Sequence, residues 1–193
     1  MKPKFGIIGT GNVGTALKRG LEAAGYTVKS TGRDPKEVWA TAAWGDVLIL
    51  AVPFGAIDEA LRAMDDAARG KVLLDVTNAL TSDFQLALGC TTSGAEELQK
   101  KTPMAKVVKA FNTVFAQNMS SGKVKGEKLT LFVAGDDQTA KDLILTAGRD
   151  IGFDSVDAGP LKNARWMETL GYFNIQLGYA LKMGADIGFK LIH

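Results

Sequence analysis

A glycine motif near the start of the chain constrains the fold more than any other feature. Gly9, Gly11 and Gly14 have the spacing G-x-G-x-x-G. The motif follows a short apolar run, residues 4–8, which we predict to be a strand. Its last glycine lies within residues 12–24, whose apolar side chains recur at helical spacing. The sequence therefore predicts a strand, a tight turn and a helix as its first structural unit.

This placement gives each glycine a physical role. Gly9 makes the tight turn, Gly11 lets the backbone approach a pyrophosphate, and Gly14 allows the helix to pack closely on the strand. The N-terminus of the following helix offers free N–H groups and partial positive charge to phosphate. We therefore expect a dinucleotide to bind at this turn, and the alternative is a glycine turn with a purely structural role.

The rest of the chain alternates between β-rich and helical patterns. Such alternation favours an α/β fold of the Rossmann type, with a doubly wound, mostly parallel sheet. We predict strands over residues 4–8, 26–30, 47–52, 71–76, 106–111, 129–134 and 154–157, and helices over 12–24, 35–43, 56–68 and 138–151. The polar stretch 81–102 receives no element.

The end of the chain has a different pattern. Residues 161–193 look helical throughout, with breaks at glycines. We therefore divide the chain into a dinucleotide-binding domain, residues 1–159, and a small C-terminal helical segment, residues 160–193, that packs on it. An apolar stripe in that segment is expected to face the sheet edge or a second subunit. The stripe comprises Trp166, Leu170, Phe173, Leu177, Ala180 and Leu181.

Composition excludes several classes of function. The 193 residues contain one cysteine, Cys90, and one histidine, His193, so neither an internal disulfide nor a Cys/His metal cage is expected. A Ser-His or Cys-His catalytic pair would lack its base. A net charge of +2 is too small for a broad nucleic-acid surface. The most apolar segment, residues 170–181, is too short to span a membrane. We expect a cytoplasmic protein without a targeting segment.

The end of the second predicted strand distinguishes NAD from NADP. An acidic side chain there would bind the ribose hydroxyls of NAD and repel a 2′-phosphate. This chain has Thr31, Gly32 and Arg33, and its first carboxylate is Asp34. A hydroxyl and a guanidinium suit a phosphate, so NADP is favoured over NAD. The alternative is a turn with a solvated arginine.

Polar and aromatic residues follow three other predicted strands. Phe54 lies just after the third strand, Asn78 after the fourth, and Asn112 with Thr113 after the fifth. Ligands of open α/β sheets bind at the carboxyl ends of the strands, so these residues are candidates for the nicotinamide half and the substrate pocket. A core aromatic and helix-capping side chains are the alternatives.

Seven lysines lie between residues 100 and 128, with Glu127 as the one carboxylate in that range. Such a local excess of positive charge can attract a phosphorylated or polycarboxylated substrate toward the protein. A solvated basic surface is the alternative, and we favour it.

The missing acid–base residue also indicates the type of reaction. Hydride transfer needs no protein nucleophile and no metal, because the cofactor carries the chemistry. An acceptor that takes no proton from the protein, such as a flavin, a deazaflavin or a quinone, fits better than a ketone. We predict no catalytic side chain.

Seven motifs, read in order, resemble the family of NADP oxidoreductases dependent on coenzyme F-420. They are GTGNVG, TGRDP, LAVPFGA, LLDVTNAL, VVKAFNT, FVAGDD and DAGPLKNARWMETL, and they cover essentially the whole chain. The resemblance implies an NADP-binding Rossmann domain with a small helical C-terminal part, direct hydride transfer to a deazaflavin, and a homodimer. By matched position it places Thr10, Gly11, Asn12 and Val13 at the pyrophosphate, Thr31 and Arg33 at the 2′-phosphate, and Val52, Pro53 and Phe54 at the nicotinamide half.

Two positions depart from the archaeal members of that family. Gly32 stands where they carry an arginine, which implies weaker NADP selectivity, and Asn112 stands where they carry a histidine near the deazaflavin. The KAFNT pattern is also similar to the reductase domain of the six-transmembrane ferric reductases, which passes electrons through a flavin. The alternatives are therefore a flavin-mediated ferric reductase, an imine- or hydroxyacid-type reductase with the same N-terminal motif, and a non-catalytic NADP(H) sensor.

Overall fold

The computed structural model of the chain describes residues 2–88 and 91–192. Cys90 and His193, on which the disulfide, metal and catalytic-base predictions rest, lie outside the described residues. No helix in the described ranges is long and apolar enough to cross a lipid bilayer.

The strands form one large sheet and one hairpin. In chain order they are β1 Lys4–Ile8, β2 Thr27–Thr31, β3 Val47–Leu50, β4 Val72–Asp75, β5 Lys106–Lys109, β6 Lys123–Val124, β7 Glu127–Lys128, β8 Thr130–Gly135 and β9 Asp154–Asp157. The large sheet has the order β2-β1-β3-β4-β5-β8-β9, and β6 pairs with β7. All pairs in the large sheet are parallel except β5 with β8. The predicted fold class, a mostly parallel doubly wound sheet, is confirmed.

Helices cover both faces of this sheet. They are α1 Asn12–Ala23, α2 Pro35–Trp44, α3 Ile57–Met64, α4 Gly94–Lys101, α5 Ala116–Met119, α6 Gln138–Ile151 and α7 Ala164–Ile175. Alternate side chains of β3 enter opposite cores: Val47 and Ile49 pack with α1 and α6, while Leu48 and Leu50 pack with α2 and α3. A strand buried on both faces needs apolar residues at every position, as this one has.

The connections place a crevice beside the glycine motif. From β1 the chain runs through α1 to β2 on one side, and then returns through α2 to β3 on the other side of β1. The strand order therefore reverses between β1 and β3. Ligands of open α/β sheets bind outside the carboxyl ends of the strands at such a reversal.

Helix α4 lies in the polar stretch that received no element. Ser93 precedes it and accepts a hydrogen bond at Oγ from the amide of Glu96, 3.2 Å away, while donating its hydroxyl to Glu96 Oε2 at 2.8 Å. The bond from the Glu96 amide to Ser93 is one half of a capping box, while the Glu96 carboxylate accepts from the Ser93 hydroxyl rather than from its amide. The spacing S-x-x-E is the sequence signature of that motif. The helix was thus detectable from the sequence.

The prediction of helix up to residue 193 is wrong beyond residue 180. Helix α7 continues as a π-helical turn, Gln176–Ala180, and the described residues after it are extended or bent. Gly184 has φ +80°, which favours glycine, and Gly188 fits against Leu129 where a Cβ would lie 2.7 Å from Cδ2. Thr130 donates its amide to the carbonyl of Phe189 at 2.9 Å, so this segment runs along the start of β8.

Candidate functional site

The glycine loop after β1 is held tightly from two sides. The amide of Gly9 donates to the carbonyl of Thr31 at 2.9 Å, which fixes the loop to the end of β2. Gly9 has φ +121°, and a Cβ there would lie 2.1 Å from the carbonyl oxygen of Ala51. A Cβ on Gly14 would lie 2.1 Å from the carbonyl oxygen of Gly9. Both positions therefore exclude any side chain.

Gly11 is different, because the space beside it is open. A Cβ on Gly11 would meet no heavy atom of the described residues within 4 Å. Gly11 caps α1 without a side-chain hydrogen bond from the described chain, and the first turn of α1 holds no acidic residue. Thr10, Gly11 and Asn12 are exposed. The amides at the start of this 12-residue helix are thus available to an anion such as pyrophosphate.

A cavity of about 280 Å³ opens at the reversal point, and we call it the switch-point cavity. Its lining combines an apolar floor with two exposed guanidinium groups, Arg33 after β2 and Arg62 on α3. Sequence analysis missed Arg62, because nothing in its local spacing shows which element faces α3. The described lining residues are Ile8, Gly32, Arg33, Pro35, Val38, Val52, Pro53, Ala56, Glu59, Ala60, Arg62 and Ala63.

The first carboxylate after β2 is committed to a helix cap. Asp34 Oδ1 accepts hydrogen bonds from the amides of Lys36 at 2.9 Å and Glu37 at 3.2 Å, at the start of α2. Glu59, on α3, is the carboxylate that the described lining does contain. Thr31 is buried and is not among the described lining residues. Of the two predicted 2′-phosphate ligands, Arg33 is therefore the one at the cavity.

Val52 and Pro53 line the same cavity as Arg33. The resemblance places these two residues at the nicotinamide half, whereas the geometry puts them beside the end of β2, where the adenosine half of a dinucleotide would lie. Phe54 is half-buried and packs toward α4, where a Cβ on Gly94 would lie 3.1 Å from its ring.

The structure brings Asn78 and Asn112 together after β4 and β5. Asn112 donates from Nδ2 to Asn78 Oδ1 at 3.0 Å and to the carbonyl of Met167 at 2.8 Å, and Asn78 donates from Nδ2 to the carbonyl of Asn112 at 2.9 Å. Asn78 is half-buried, while Asn112 and Thr113 are buried. Gly171 of α7 permits this packing, since a Cβ there would lie 2.5 Å from Asn78 Oδ1.

A buried ionic cluster lies at the ends of the same two strands, β4 and β5. Lys109 Nζ lies 2.9 Å from Asp75 Oδ2, 2.8 Å from Glu168 Oε1 and 2.6 Å from the carbonyl of Thr77. The amides of Gly94 and Ala95, at the start of α4, donate to the Glu168 carboxylate at 3.0 and 3.3 Å. Sequence analysis missed this cluster, because its members lie on β4, β5 and α7 and meet only in the fold.

A second cavity, of about 450 Å³, is lined by residues of the glycine loop, α1 and α5. We call it the α1–α5 cavity. Its wall combines the exposed loop residues with two aromatic rings and one arginine, Arg19. The described lining residues are Thr10, Gly11, Asn12, Thr15, Ala16, Arg19, Phe115, Ala116, Gln117, Ser120 and Tyr179.

The lysines between residues 100 and 128 divide among three places in the fold. Lys100, Lys101 and Lys106 pair with Glu97, Asp58 and Asp137 respectively, and Lys109 belongs to the buried cluster. The other three lie on the β6–β7 hairpin and its turn, at Lys123, Lys125 and Lys128. These ion pairs favour the solvated surface over a substrate-steering patch.

Comparison with known proteins gives a consistent result. Residues 4–45 match the sequence model of the family described as NADP oxidoreductase, coenzyme F420-dependent. An Arthrobacter sp. FB24 protein described as an F420-dependent NADP reductase has a crystal structure that superposes with a TM-score of 0.90, at 29% identity, covering 99% of this chain and 100% of its own. The chain is related to the coenzyme F420-dependent NADP oxidoreductases. The enzyme class predicted from the sequence, an NADP-dependent oxidoreductase, is confirmed by this relationship.

A second relative supports the similarity to ferric reductases. The metalloreductase STEAP3 of Rattus norvegicus is 30% identical over 181 residues, which are 87% of this chain and 36% of that protein. The chain thus spans about a third of the length of this curated relative. An imine reductase from Myxococcus stipitatus superposes with a TM-score of 0.68 at 15% identity, a likeness of fold alone.

Proposed function

We propose that this chain is an NADP(H)-dependent oxidoreductase that exchanges hydride with a deazaflavin of the coenzyme F-420 type or with a flavin. The observation that carries the proposal is the position of the glycine loop, which directly follows Ile8 of the switch-point cavity and contributes its own exposed residues to the α1–α5 cavity. One cavity offers room for the adenosine end of a dinucleotide. The other, lined by Thr10, Gly11 and Asn12, offers room beside the pyrophosphate-binding turn for the rest of the dinucleotide and its acceptor.

The charge at the switch-point cavity supports NADP over NAD. Arg33 and Arg62 both line it, and neither forms an ion pair with another described residue. Two guanidinium groups suit a 2′-phosphate, and Arg62 supplies positive charge that Gly32 does not. Asp34 is the carboxylate that could accept hydrogen bonds from the ribose hydroxyls of NAD. Its Oδ1 instead accepts the amides of Lys36 and Glu37 at the start of α2.

The residues in place fit such a nucleotide. Gly9 and Gly14 shape the turn, Gly11 leaves space beside the helix amides, and Val52 and Pro53 give the cavity an apolar wall. NADPH held by these residues would supply a hydride to the acceptor, which would take up one proton from bulk solvent, leaving NADP⁺ and the reduced acceptor. The protein binds and orients both partners and excludes water, so we assign no catalytic side chain.

Asn78 is proposed to contact the nicotinamide half, because it is half-buried at the carboxyl end of β4. Asn112 and Thr113 are buried, so in this proposal they hold Asn78 and the β5 turn in place rather than line the substrate pocket. Thr10, Asn12 and Val13 would frame the pyrophosphate.

The test is a titration of the purified protein with NADPH and NADH, followed by assays of NADPH oxidation with F-420, FMN, FAD and ferric chelates. We expect tighter binding of NADPH and turnover with a deazaflavin or flavin. Tight binding without oxidation by any acceptor would instead indicate a redox sensor.

A flavin-mediated ferric reductase is the second candidate, since the similarity to STEAP3 extends over 181 residues. This candidate predicts that ferric chelates are reduced only when a flavin is added. We also propose a cytoplasmic homodimer. The dimer is supported by Trp166 and Phe173, which lie on α7 and are 60% and 52% exposed. A monomeric mass in light scattering would refute the dimer.

A further inference from the structure

One face of α3 contributes small side chains to the switch-point cavity. Ala56, which caps the helix, Ala60 and Ala63 recur at three- and four-residue spacing, so they lie on the same face. Glu59 comes three residues after Ala56 and four before Ala63, and it belongs to that face as well. The short alanine side chains leave room for a flat ring against the helix. The other apolar residues of the described lining are Ile8, Pro35, Val38, Val52 and Pro53.

Glu59 differs chemically from the other polar groups of this cavity. The described lining contains two guanidiniums, Arg33 and Arg62, which only donate hydrogen bonds, whereas the ionised carboxylate of Glu59 only accepts them. Glu59 and Arg62 are three residues apart on α3, within reach of each other. They nevertheless form no ion pair, and Glu59 pairs with no other residue that the structure describes. Its carboxylate is available to a ligand that brings a hydrogen-bond donor.

The adenosine end of a dinucleotide carries two kinds of donor, the ribose hydroxyls and the exocyclic amino group of adenine. The ribose of a dinucleotide lies at the end of β2, where Arg33 is located. Glu59 instead lies on α3, among the alanines that offer a wall to a flat ring. This position favours the amino group of the base as the donor to Glu59, and the ribose hydroxyls are the alternative.

We propose that Glu59 determines which base the dinucleotide carries, by accepting a hydrogen bond from the exocyclic amino group of an adenine packed against Ala56 and Ala60. This inference rests on the proposed function, because it concerns the nucleotide of the same site. A base with a carbonyl in place of the amino group turns an oxygen toward the carboxylate and binds more weakly. Glu59 thus discriminates between bases, whereas Arg33 discriminates by the 2′-phosphate.

Equilibrium binding tests this assignment without requiring turnover. NADPH, NADH and the reduced hypoxanthine analogue of NADPH, which carries a carbonyl in place of the amino group, are titrated separately into the full chain. Binding is followed by the fluorescence of the reduced nicotinamide. We expect NADPH to bind at least about tenfold more tightly than its hypoxanthine analogue. Glu59→Gln should remove that preference, because a glutamine amide donates to a carbonyl as well as accepting from an amino group.

Asp58→Asn is the matched control, since it removes a negative charge one residue away on α3, where Asp58 pairs with Lys101 and does not line the cavity. It should leave the preference for adenine unchanged. The assignment is overturned if the unsubstituted chain binds both bases equally, or if Glu59→Gln leaves the preference intact.

A loss of NADH affinity in Glu59→Gln, with the base preference intact, would also overturn the assignment and place the carboxylate at the ribose hydroxyls. If no nucleotide binds, the base assignment and the proposed function both fail. Binding with the expected base preference but without oxidation of NADPH by any acceptor would refute the proposed function and leave the assignment of Glu59 standing.

Discussion

Lys109 and Glu168 form a buried ion pair, 2.8 Å between Nζ and Oε1, that joins the end of β5 to the middle of α7. Asp75 on β4 completes the cluster, with its Oδ2 2.9 Å from the same ammonium. Burial disfavours the charged ammonium, but the two adjoining carboxylates outweigh it and raise the pKa of Lys109 above its ordinary value. The cluster ties together the ends of β4 and β5, the strands that Asn78 and Asn112 follow.

Removing the cation should therefore destabilise the fold strongly. Lys109→Met leaves two buried carboxylates without their partner, and we expect a loss of about 3–5 kcal/mol in the free energy of unfolding. Lys106→Met, on the same strand, breaks an exposed pair with Asp137 and should cost less than about 1 kcal/mol. Urea unfolding of both variants measures the difference. Equal losses would contradict the role assigned to the cluster.

Gly11→Ala separates nucleotide binding from folding. The added Cβ meets no described atom within 4 Å, and the φ of −72° at Gly11 suits alanine. Because alanine is a poorer N-cap than glycine, the melting temperature should fall, but by only a few degrees. The same methyl group occupies the space beside the helix amides, so NADPH affinity should fall by at least about tenfold.

Gly55→Ala, which is equally unobstructed and lines neither cavity, is the control and should bind NADPH normally. An unchanged affinity in Gly11→Ala would place the pyrophosphate elsewhere.

Arg33→Ser tests the preference for NADP. Loss of one charge-assisted contact to the 2′-phosphate, about 1.5–3 kcal/mol, should weaken NADPH binding by roughly 10- to 150-fold and leave NADH binding unchanged. Lys36→Ser removes a nearby charge on α2 that does not line the cavity and should change neither affinity. Calorimetric titration with both nucleotides gives the comparison. An equal loss of affinity for NADPH and NADH would show that Arg33 does not contact the 2′-phosphate.

The link between α4 and α7 should depend on pH. Arg165 donates from Nε and Nη2 to the two oxygens of Glu96, at 2.8 and 2.6 Å, and these hydrogen bonds hold the pKa of Glu96 below its ordinary value of 4.5. A lowered pKa in the folded state contributes stability that is present above the unfolded pKa and is lost as pH falls through the folded pKa.

Glu96→Gln should therefore cost about 1–3 kcal/mol at neutral pH and progressively less as the pH falls below about 4. Glu22→Gln breaks a loose surface pair at 3.9 Å and serves as the control. Urea unfolding at a series of pH values measures both. If the loss in the free energy of unfolding does not change with pH, the charge of Glu96 does not contribute to the stability of the fold.

Local patterns in the sequence predict most of the fold. Periodicity and turn residues give α6 and β9 with the bounds that the structure shows, and the glycine motif gives the loop between β1 and α1. Helix α4 was missed although Ser93 and Glu96 carry its capping signal. The C-terminal segment was assigned to a helix because its pairing with Thr130 is a contact between distant parts of the chain.

The site was predicted where it depends on local backbone and missed where it depends on packing. Gly9 and Arg33 follow the ends of β1 and β2, and Gly14 lies in the first turn of α1. The position of these strand ends in the sheet follows from the strand order. Arg19 and Arg62 lie on helix surfaces at ordinary spacing, and they become cavity residues only because other elements pack beside them. Nothing local distinguishes such an arginine from a solvated one.

The central claim is that NADPH bound at the glycine loop gives its hydride to a deazaflavin or flavin held beside it. Anaerobic mixing of the protein–NADPH complex with F-420 or FMN, while the absorbance of both partners is followed, tests this most directly. The account predicts that NADPH is oxidised and the acceptor reduced one for one in a single turnover. NADPH that stays bound and reduced in the presence of both acceptors would contradict it.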